Sequence, residues 1–371
     1  MPKIPLVKPP LDGEVKRRVA LALDSGMIAE GPAVRELESL FSAYTGAPHA
    51  LAVTNCTVGL ELGLRALGVG PGDEVVVPAF TYPASAAAVR IVGAECVLAD
   101  VDPETFILDR QAMEAALTPR TKAVMPVSLF GFPVDPALME ATWARGIRVI
   151  EDAACSIGAA WNGRRTGSVA DVTVFSMHPR KSITTGEGGM ITTGDAGLAA
   201  RIDAYRHFGM TPGPTGPKTV FATIGTNAKL SDLAASAGIP QMLRFDAILS
   251  RREVLAQVYD TLLEAVPGVT RTAVPSWAVH ARQSYCVLMD DRDHVWEKLR
   301  AEGIEVQIGS FALNLQPAFI NDPGTRFSGS LENSSRSFAR SLVLPIHHDL
   351  TLDDQQRVVE RLDAILNGPR A

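Results

Sequence analysis

Over its first 240 residues the chain alternates short β-branched runs with helical stretches, and that alternation points to an α/β layer. Candidate strands fall at 50–53, 74–77, 96–99, 123–127, 148–151, 172–176 and 190–193. Helical patterns lie between them at 58–67, 84–92, 110–117 and 136–145. A helix crossover returns the chain to the end of the sheet it left, so such strands pair mostly in parallel. Pro71-Gly72-Asp73 is a turn that enters the second strand. Gly68-Val69-Gly70 precedes that turn instead of opening a helix, so it is not read as a dinucleotide loop. Residues 210–218, rich in Pro, Gly and Thr, read as an exposed loop, and helices are expected at 231–249 and 251–265. After Pro267 the pattern changes to short strands (284–289, 305–308) and helices (294–301, 333–341, 353–366). The expected organisation is a large domain over 1–246 and a smaller α+β domain over 247–371.

Length and composition agree with two domains. At roughly 150 residues per domain, 371 residues exceed one small core, and 46% hydrophobic with 20% charged residues is enough to bury a large one. Disorder and coiled coil are excluded on the same numbers. No stretch approaches the roughly 18 uncharged apolar residues of a membrane helix, and Met1-Pro2-Lys3-Ile4-Pro5 does not read as a secretion signal. A net charge of −6 argues against a nucleic-acid or anionic-membrane partner, while leaving room for a phosphorylated small molecule. Cys56, Cys96, Cys155 and Cys286 show no paired spacing and the seven histidines no metal signature. No metal is expected, and a reduced, cytoplasmic protein is. His347-His348 follows Leu344-Pro345 and reads as a loop after a buried segment.

Lysine is scarce: 27 arginines accompany only Lys3, Lys8, Lys16, Lys122, Lys181, Lys218, Lys229 and Lys298. Lys3, Lys8, Lys16, Lys122, Lys218 and Lys298 sit where solvation is expected. Lys181 follows the apolar run 172–176 by five residues and meets Gly186-Glu187-Gly188-Gly189. A long side chain in a Gly-rich loop beyond a buried strand lies where open α/β sheets bind ligands, although an exposed loop lysine has the same local sequence. Asp152 ends the run Val149-Ile150-Glu151-Asp152. A carboxylate at the end of a core strand needs a cationic partner, unless it caps the next helix. A protonated pyridine nitrogen is such a partner, and pyridoxal phosphate needs both that acid and a lysine to carry its aldehyde as a Schiff base. Thr54-Asn55-Cys56-Thr57 turns from a strand into a helix whose free N–H groups suit a phosphate, with the Thr57 hydroxyl at hand either as ligand or as N-cap. Ser176 offers another hydroxyl. Tyr82, at the end of a strand, is placed either to stack on a ring or to line the rim.

These residues occur in the ordered set Asn-Cys-Thr, Pro-Gly-Asp-Glu-Val-Val-Val-Pro-Ala-Phe-Thr-Tyr, Glu-Asp-Ala-Ala, Phe-Ser-Met-His-Pro-Arg-Lys and Gly-Glu-Gly-Gly. That set resembles the DegT/DnrJ/EryC1/StrS aminotransferases, and the resemblance runs from Gly31-Pro32 to Leu344-Pro345-Ile346-His347. It implies the aspartate-aminotransferase fold, type I among pyridoxal-phosphate enzymes. The large domain then carries a mostly parallel mixed sheet, a smaller α+β domain completes the chain, and segment 1–30 lies near a dimer interface. It implies Lys181 as the Schiff-base lysine, Asp152 on the pyridine nitrogen, Tyr82 on the ring face, and Cys56, Thr57 and Ser176 around the phosphate. It further implies that Asn227, in Gly225-Thr226-Asn227-Ala228-Lys229, reaches the phosphate of the partner subunit in a homodimer. Substrate contacts are implied at His178, Lys229, Ser310 and Phe311.

Four departures stand out. Cys56 replaces a Gly usual in the phosphate turn. Cys155 replaces a Gln or His usual near the cofactor oxygen, and is a poorer hydrogen-bonding group. Ala228-Lys229 and Gly309-Ser310 also differ from the common pattern. The expected activity is transfer of an amino group from glutamate or glutamine to a keto-sugar, above all a nucleotide-linked keto-deoxysugar of antibiotic or polysaccharide biosynthesis. The alternatives are cyclitol transamination, dehydration or aromatisation of a cyclic keto substrate on the same scaffold, and a non-catalytic partner protein.

Overall fold

A computed structural model of the protein describes residues 2–213, 219–272 and 274–368. Its centre is an eight-stranded sheet. Seven strands come from the first 200 residues: β1 His49–Val53, β2 Glu74–Pro78, β3 Glu95–Ala99, β4 Thr121–Val124, β5 Arg148–Asp152, β6 Val172–Ser176 and β7 Gly189–Thr193. The eighth, β8 Thr325–Phe327, arrives from the C-terminal third. The spatial order is β1-β7-β6-β5-β4-β2-β3-β8, and only β7 runs against its neighbours.

Helices cover both faces, so the strands are apolar on both sides. The two-residue period divides them between cores. Val75, Val77, Ile150, Val172, Val174 and Ile191 pack on one face with the helix Cys56–Ala66. Val76, Val124 and Val149 face the opposite side with Met113 and Leu138, and Phe175 and Met190 face it with Leu37 and Phe41. Glu151 and Asp152 therefore point to opposite faces of β5.

All seven expected strands form, with different ends. The 123–127 run is a strand only to Val124, because Pro126 has no N–H to extend the ladder; Val127 resumes as a single bridge to Asp152. The four expected crossover helices form as Cys56–Ala66, Ala84–Ile91, Arg110–Ala116 and Pro136–Trp143. The two later helices part at Arg244, not near 250, as Asp232–Leu243 and Phe245–Leu263. Arg244 leaves helical geometry and donates to the Pro10 carbonyl at 2.8 Å, a tertiary contact with no local signal. Met210–Pro212, expected as loop, pairs with Thr219–Phe221; the rest of that expected loop, 214–218 with Lys218, lies outside the described residues.

A second core surrounds an antiparallel sheet of Thr270–Arg271, Tyr285–Leu288, Ser341–Leu344 and Gln307–Ile308. The helices Phe245–Leu263, Arg292–Ala301 and Leu352–Asn367 pack on it. Ser341–Leu344 is the buried segment before His347, and the His347 ring is itself buried, with no hydrogen-bond partner for either nitrogen among the described residues. Ile4 joins this core by bridging Ile304, while β8 leaves it for the large sheet. A third link is the pairing of Phe311–Ala312 with Phe80–Thr81. These crossings bring the two cores together over one end of the large sheet.

Candidate active site

The carboxyl ends of β5 and β6 open onto a cavity of about 310 Å³. Asp152 ends β5 and is only 5% exposed. Its carboxylate accepts from Ser85 Oγ at 2.7 Å and from the Ala154 N–H at 3.1 Å, and Cys56 Sγ lies 3.9 Å away. Burial raises its pKa above the ordinary carboxylate range, against the pull of these donors and of Lys181.

Ser176 ends β6, and the loop beyond it is held by its own polar side chains. Met177 N–H donates to the Gly188 carbonyl and Thr185 N–H to that of Met177, closing the loop at its base. Thr184 Oγ1 donates to the Met177 carbonyl and accepts from the Gly186 N–H, both at 2.9 Å. Lys181 projects from this loop into the cavity and donates to Cys155 Sγ at 3.1 Å. Burial opposes its charge, but the bond to Cys155 and the Asp152 charge outweigh burial and raise the ammonium above its usual range. Burial, then the Asp152 charge, push the Cys56 thiol well up, so it stays protonated.

The helix Cys56–Ala66 points its N-terminus at the cavity. Asn55, not Thr57, is the N-cap: its side chain accepts from the Val58 N–H at 2.9 Å. The N–H groups of Cys56 and Thr57 have no place in the helix ladder and remain available. Gly189, at the start of β7, lets this turn approach. A Cβ there would stand 2.7 Å from the Asn55 carbonyl carbon and 2.8 Å from the Cys56 nitrogen.

The cavity brings together Cys56, Thr57, Tyr82, Asp152, Cys155, Ser176, His178, Lys181 and Ser310. Tyr82 is 64% exposed at its edge, and its ring meets Phe311 edge-on at 6.2 Å. Burial lowers the His178 pKa, although Glu187 acts against it. Asn227, Lys229 and Phe311 are not among the lining residues. Lys229 Nζ donates to Asn227 Oδ1 at 2.7 Å and lies over the Phe208 ring.

Sequence reasoning missed Ser85, Gln241 and Gln283. Ser85, in an Ala-rich helix, is marked only by being the polar member of Ala84-Ser85-Ala86. Gln241 accepts from the Thr184 N–H at 2.9 Å and donates to the Thr184 carbonyl at 2.7 Å. A glutamine inside the apolar run 239–243 was its signal. Gln283 bonds the lysine loop from the far side and had no local signal at all.

The model of the DegT/DnrJ/EryC1/StrS aminotransferase family matches residues 9–363. The chain is 38% identical to GDP-perosamine synthase of Caulobacter vibrioides over 375 residues, covering 99% of each protein. It is 32% identical to the spore coat polysaccharide biosynthesis protein SpsC of Bacillus subtilis, covering 98% of this chain and 97% of that one. Its fold is similar to DesV of S. venezuelae, solved with a ketimine intermediate, at a TM-score of 0.91 and 32% identity over 98% of both chains. A match of this extent, on a chain whose lysine and buried acid meet in one cavity, makes the protein a member of the DegT/DnrJ/EryC1/StrS family: a pyridoxal-phosphate-dependent aminotransferase of fold type I.

Proposed function

We propose that the amino acceptor is a nucleotide-linked keto-deoxysugar, that the donor is glutamate or glutamine, and that the cavity around Lys181 is the site of transfer. A keto-sugar acceptor is supported by full-length similarity to GDP-perosamine synthase and to a polysaccharide-biosynthesis protein. The site reading rests on one observation: a buried carboxylate and an amine face the same cavity beside a helix N-terminus.

The donor set fits pyridoxal phosphate. The hydrogen-bonding partners of Asp152 are neutral groups, and its burial raises its pKa, so its place is completed by a cation such as a protonated ring nitrogen. The N–H groups of Cys56 and Thr57, with the hydroxyls of Thr57 and Ser176, suit a phosphate. Cys155 and Tyr82 flank the space between. When bound, the cofactor supplies an electron sink for the carbanion formed at the substrate carbon. Asp152 then holds a proton on the ring nitrogen. Lys181 Nζ takes the proton from the donor α-carbon and later delivers one to the sugar carbon that receives nitrogen. His178 and Ser310, which line the cavity, are assigned to substrate, with Phe311 at its edge against Tyr82 and Lys229 outside it beside Asn227.

The same reading makes the enzyme a homodimer in which Asn227 serves the neighbouring site. Asn227 lies outside its own cavity, and the adjacent surface exposes Phe221 at 70% and Ile224 at 95%. Residues 1–246 and 247–371 are its two domains, with Ile4 and β8 each crossing to the other one. Free cysteines at all four positions fit the cytoplasm, and among the described residues no helix is long and apolar enough to cross a membrane.

Borohydride reduction tests the site. Treated enzyme should carry the cofactor on the peptide containing Lys181, and a label on any other lysine would remove Lys181 from the mechanism.

A further inference from the structure

Gln283 lies just before the strand Tyr285–Leu288, about a hundred residues from Lys181, yet its amide closes on the lysine loop from both sides. Oε1 accepts from Ser182 N–H at 2.8 Å and from Ser182 Oγ at 2.9 Å, while Nε2 donates to the Arg180 carbonyl at 2.6 Å. One planar group thus holds the residues immediately before and after Lys181. Gln283 is 5% exposed and its amide is committed at both ends.

The backbone that carries Gln283 is itself braced. Arg252, in the helix Phe245–Leu263, is 4% exposed and donates to the carbonyls of Arg282 at 2.8 Å and Gln283 at 3.2 Å. A buried guanidinium bonded to carbonyls instead of a carboxylate is costly. Arg282 adopts φ +47°, a left-handed conformation unfavourable for a side chain with a Cβ. Its Nε donates to Glu253 Oε2 at 2.8 Å, and its N–H donates to His280 Nδ1 at 2.8 Å. Ser284, the residue after Gln283, donates its N–H to the Phe130 carbonyl at 3.2 Å. A buried charge beside a strained backbone persists only where surrounding contacts over-determine it. Here the over-determined object is the position of the Gln283 amide.

We propose that Gln283 is a positioning residue for Lys181 and that Arg252 fixes Gln283 for that task. The inference rests on Lys181 being the cofactor lysine. Its amine must meet a carbonyl carbon and later a substrate carbon, and small errors in approach cost rate steeply. The loop's own hydrogen bonds close it at residues 177, 184 and 185 and tie the Arg180 and Lys181 N–H groups back to His178, leaving Ser182 and the Arg180 carbonyl to be held from outside by Gln283. The brace comes from the helix that enters the second core, so the lysine is set by the part of the chain that also covers the cavity.

The test uses full-length protein with Gln283→Met, which keeps length but no hydrogen bond, and Arg252→Met. Amide exchange is measured on cofactor-free protein, and the rate at which added pyridoxal phosphate becomes borohydride-fixable on Lys181 is measured separately. In Gln283→Met, protection of segment 178–185 should fall about tenfold, the loss of roughly one net hydrogen bond, with β5 and β6 unchanged. The attachment rate should fall by a similar factor. Arg252→Met should move both readouts the same way by less, and the double variant should add little to Gln283→Met. If Gln283→Met fails to fold, Gln283→Asn, one methylene short, is read by the same criteria. Wild-type loop protection and attachment in a variant whose amino transfer is impaired would overturn the proposal and place Gln283 on substrate. A wild-type label on another lysine would instead sink the assignment of Lys181, while the exchange data still decide whether Gln283 orders residues 180–182.

Discussion

Asp152 and Glu151 are adjacent carboxyl groups with opposite tasks, because β5 turns them to opposite faces. Asp152 faces the cavity, so Asp152→Asn should keep the link between cofactor and Lys181 but lose the charge that holds the ring proton. Amino transfer should fall by several orders of magnitude, each roughly 1.4 kcal/mol of lost carbanion stabilisation costing tenfold; near-normal turnover would show that Asp152 does not face the ring nitrogen. Glu151 is 1% exposed, and Ser128 and Thr173 donate hydroxyl bonds to it. Burial pushes its pKa up to about 7, with those bonds opposing and the Asp152 charge assisting. The unfolded group titrates near 4.5. Between these values the folded state binds the extra proton, so this residue's contribution to stability falls as pH rises from 4.5 to about 7 and is constant above. Glu151→Gln removes that dependence. Urea unfolding should show the variant gaining up to about 3 kcal/mol on wild type between pH 4 and pH 8. An equal difference at both pH values would mean that Glu151 is ionised in the fold.

The proposed phosphate cradle is assembled from the ends of several elements. The helix Cys56–Ala66 supplies its N-terminus, β6 supplies Ser176, and β7 supplies space by beginning with glycine. Asn55-Cys56 packs so close to Gly189 that no side chain fits between them. Gly189→Ala should push the helix start away from β7. Overpacking of this kind costs about 1–3 kcal/mol, and affinity for pyridoxal phosphate should drop at least about tenfold, as read by equilibrium dialysis. Unchanged cofactor affinity would show that the helix start does not hold the phosphate. The strand and helix pattern was legible because parallel strands covered on both faces read as continuous apolar runs between amphipathic helices. Exact ends were less so. Pro126 stopping β4 could be read locally, whereas Arg244 breaking a helix to reach Pro10 could not.

At the scale of the whole molecule, Asn227 separates a complete monomeric site from a shared one. Mixing Lys181→Ala subunits with Asn227→Asp subunits should restore activity if Asn227 serves the neighbour, because one hybrid site then carries both lesions and the other neither. If mixing restores nothing, Asn227 serves its own chain. Within the chain, Ile4, β8 and the Phe311–Ala312 pairing tie the ends and the second core to the large sheet. None of these three links has a periodicity to announce it, since each is a few residues long and paired with a distant segment. The sequence by itself determined the α/β layer, the loop that carries Lys181, the strand-end acid Asp152 and the chemistry those two imply, because periodicity and residue type are local properties. Only the tertiary structure decided that Asn55 caps the helix, that Ser85 bonds Asp152, that Asn227 stands outside its own cavity and that Gln283 grips the lysine loop. Those facts depend on which distant backbone groups meet in space, and a hydrogen bond across a hundred residues leaves no mark at either end of the chain that makes it.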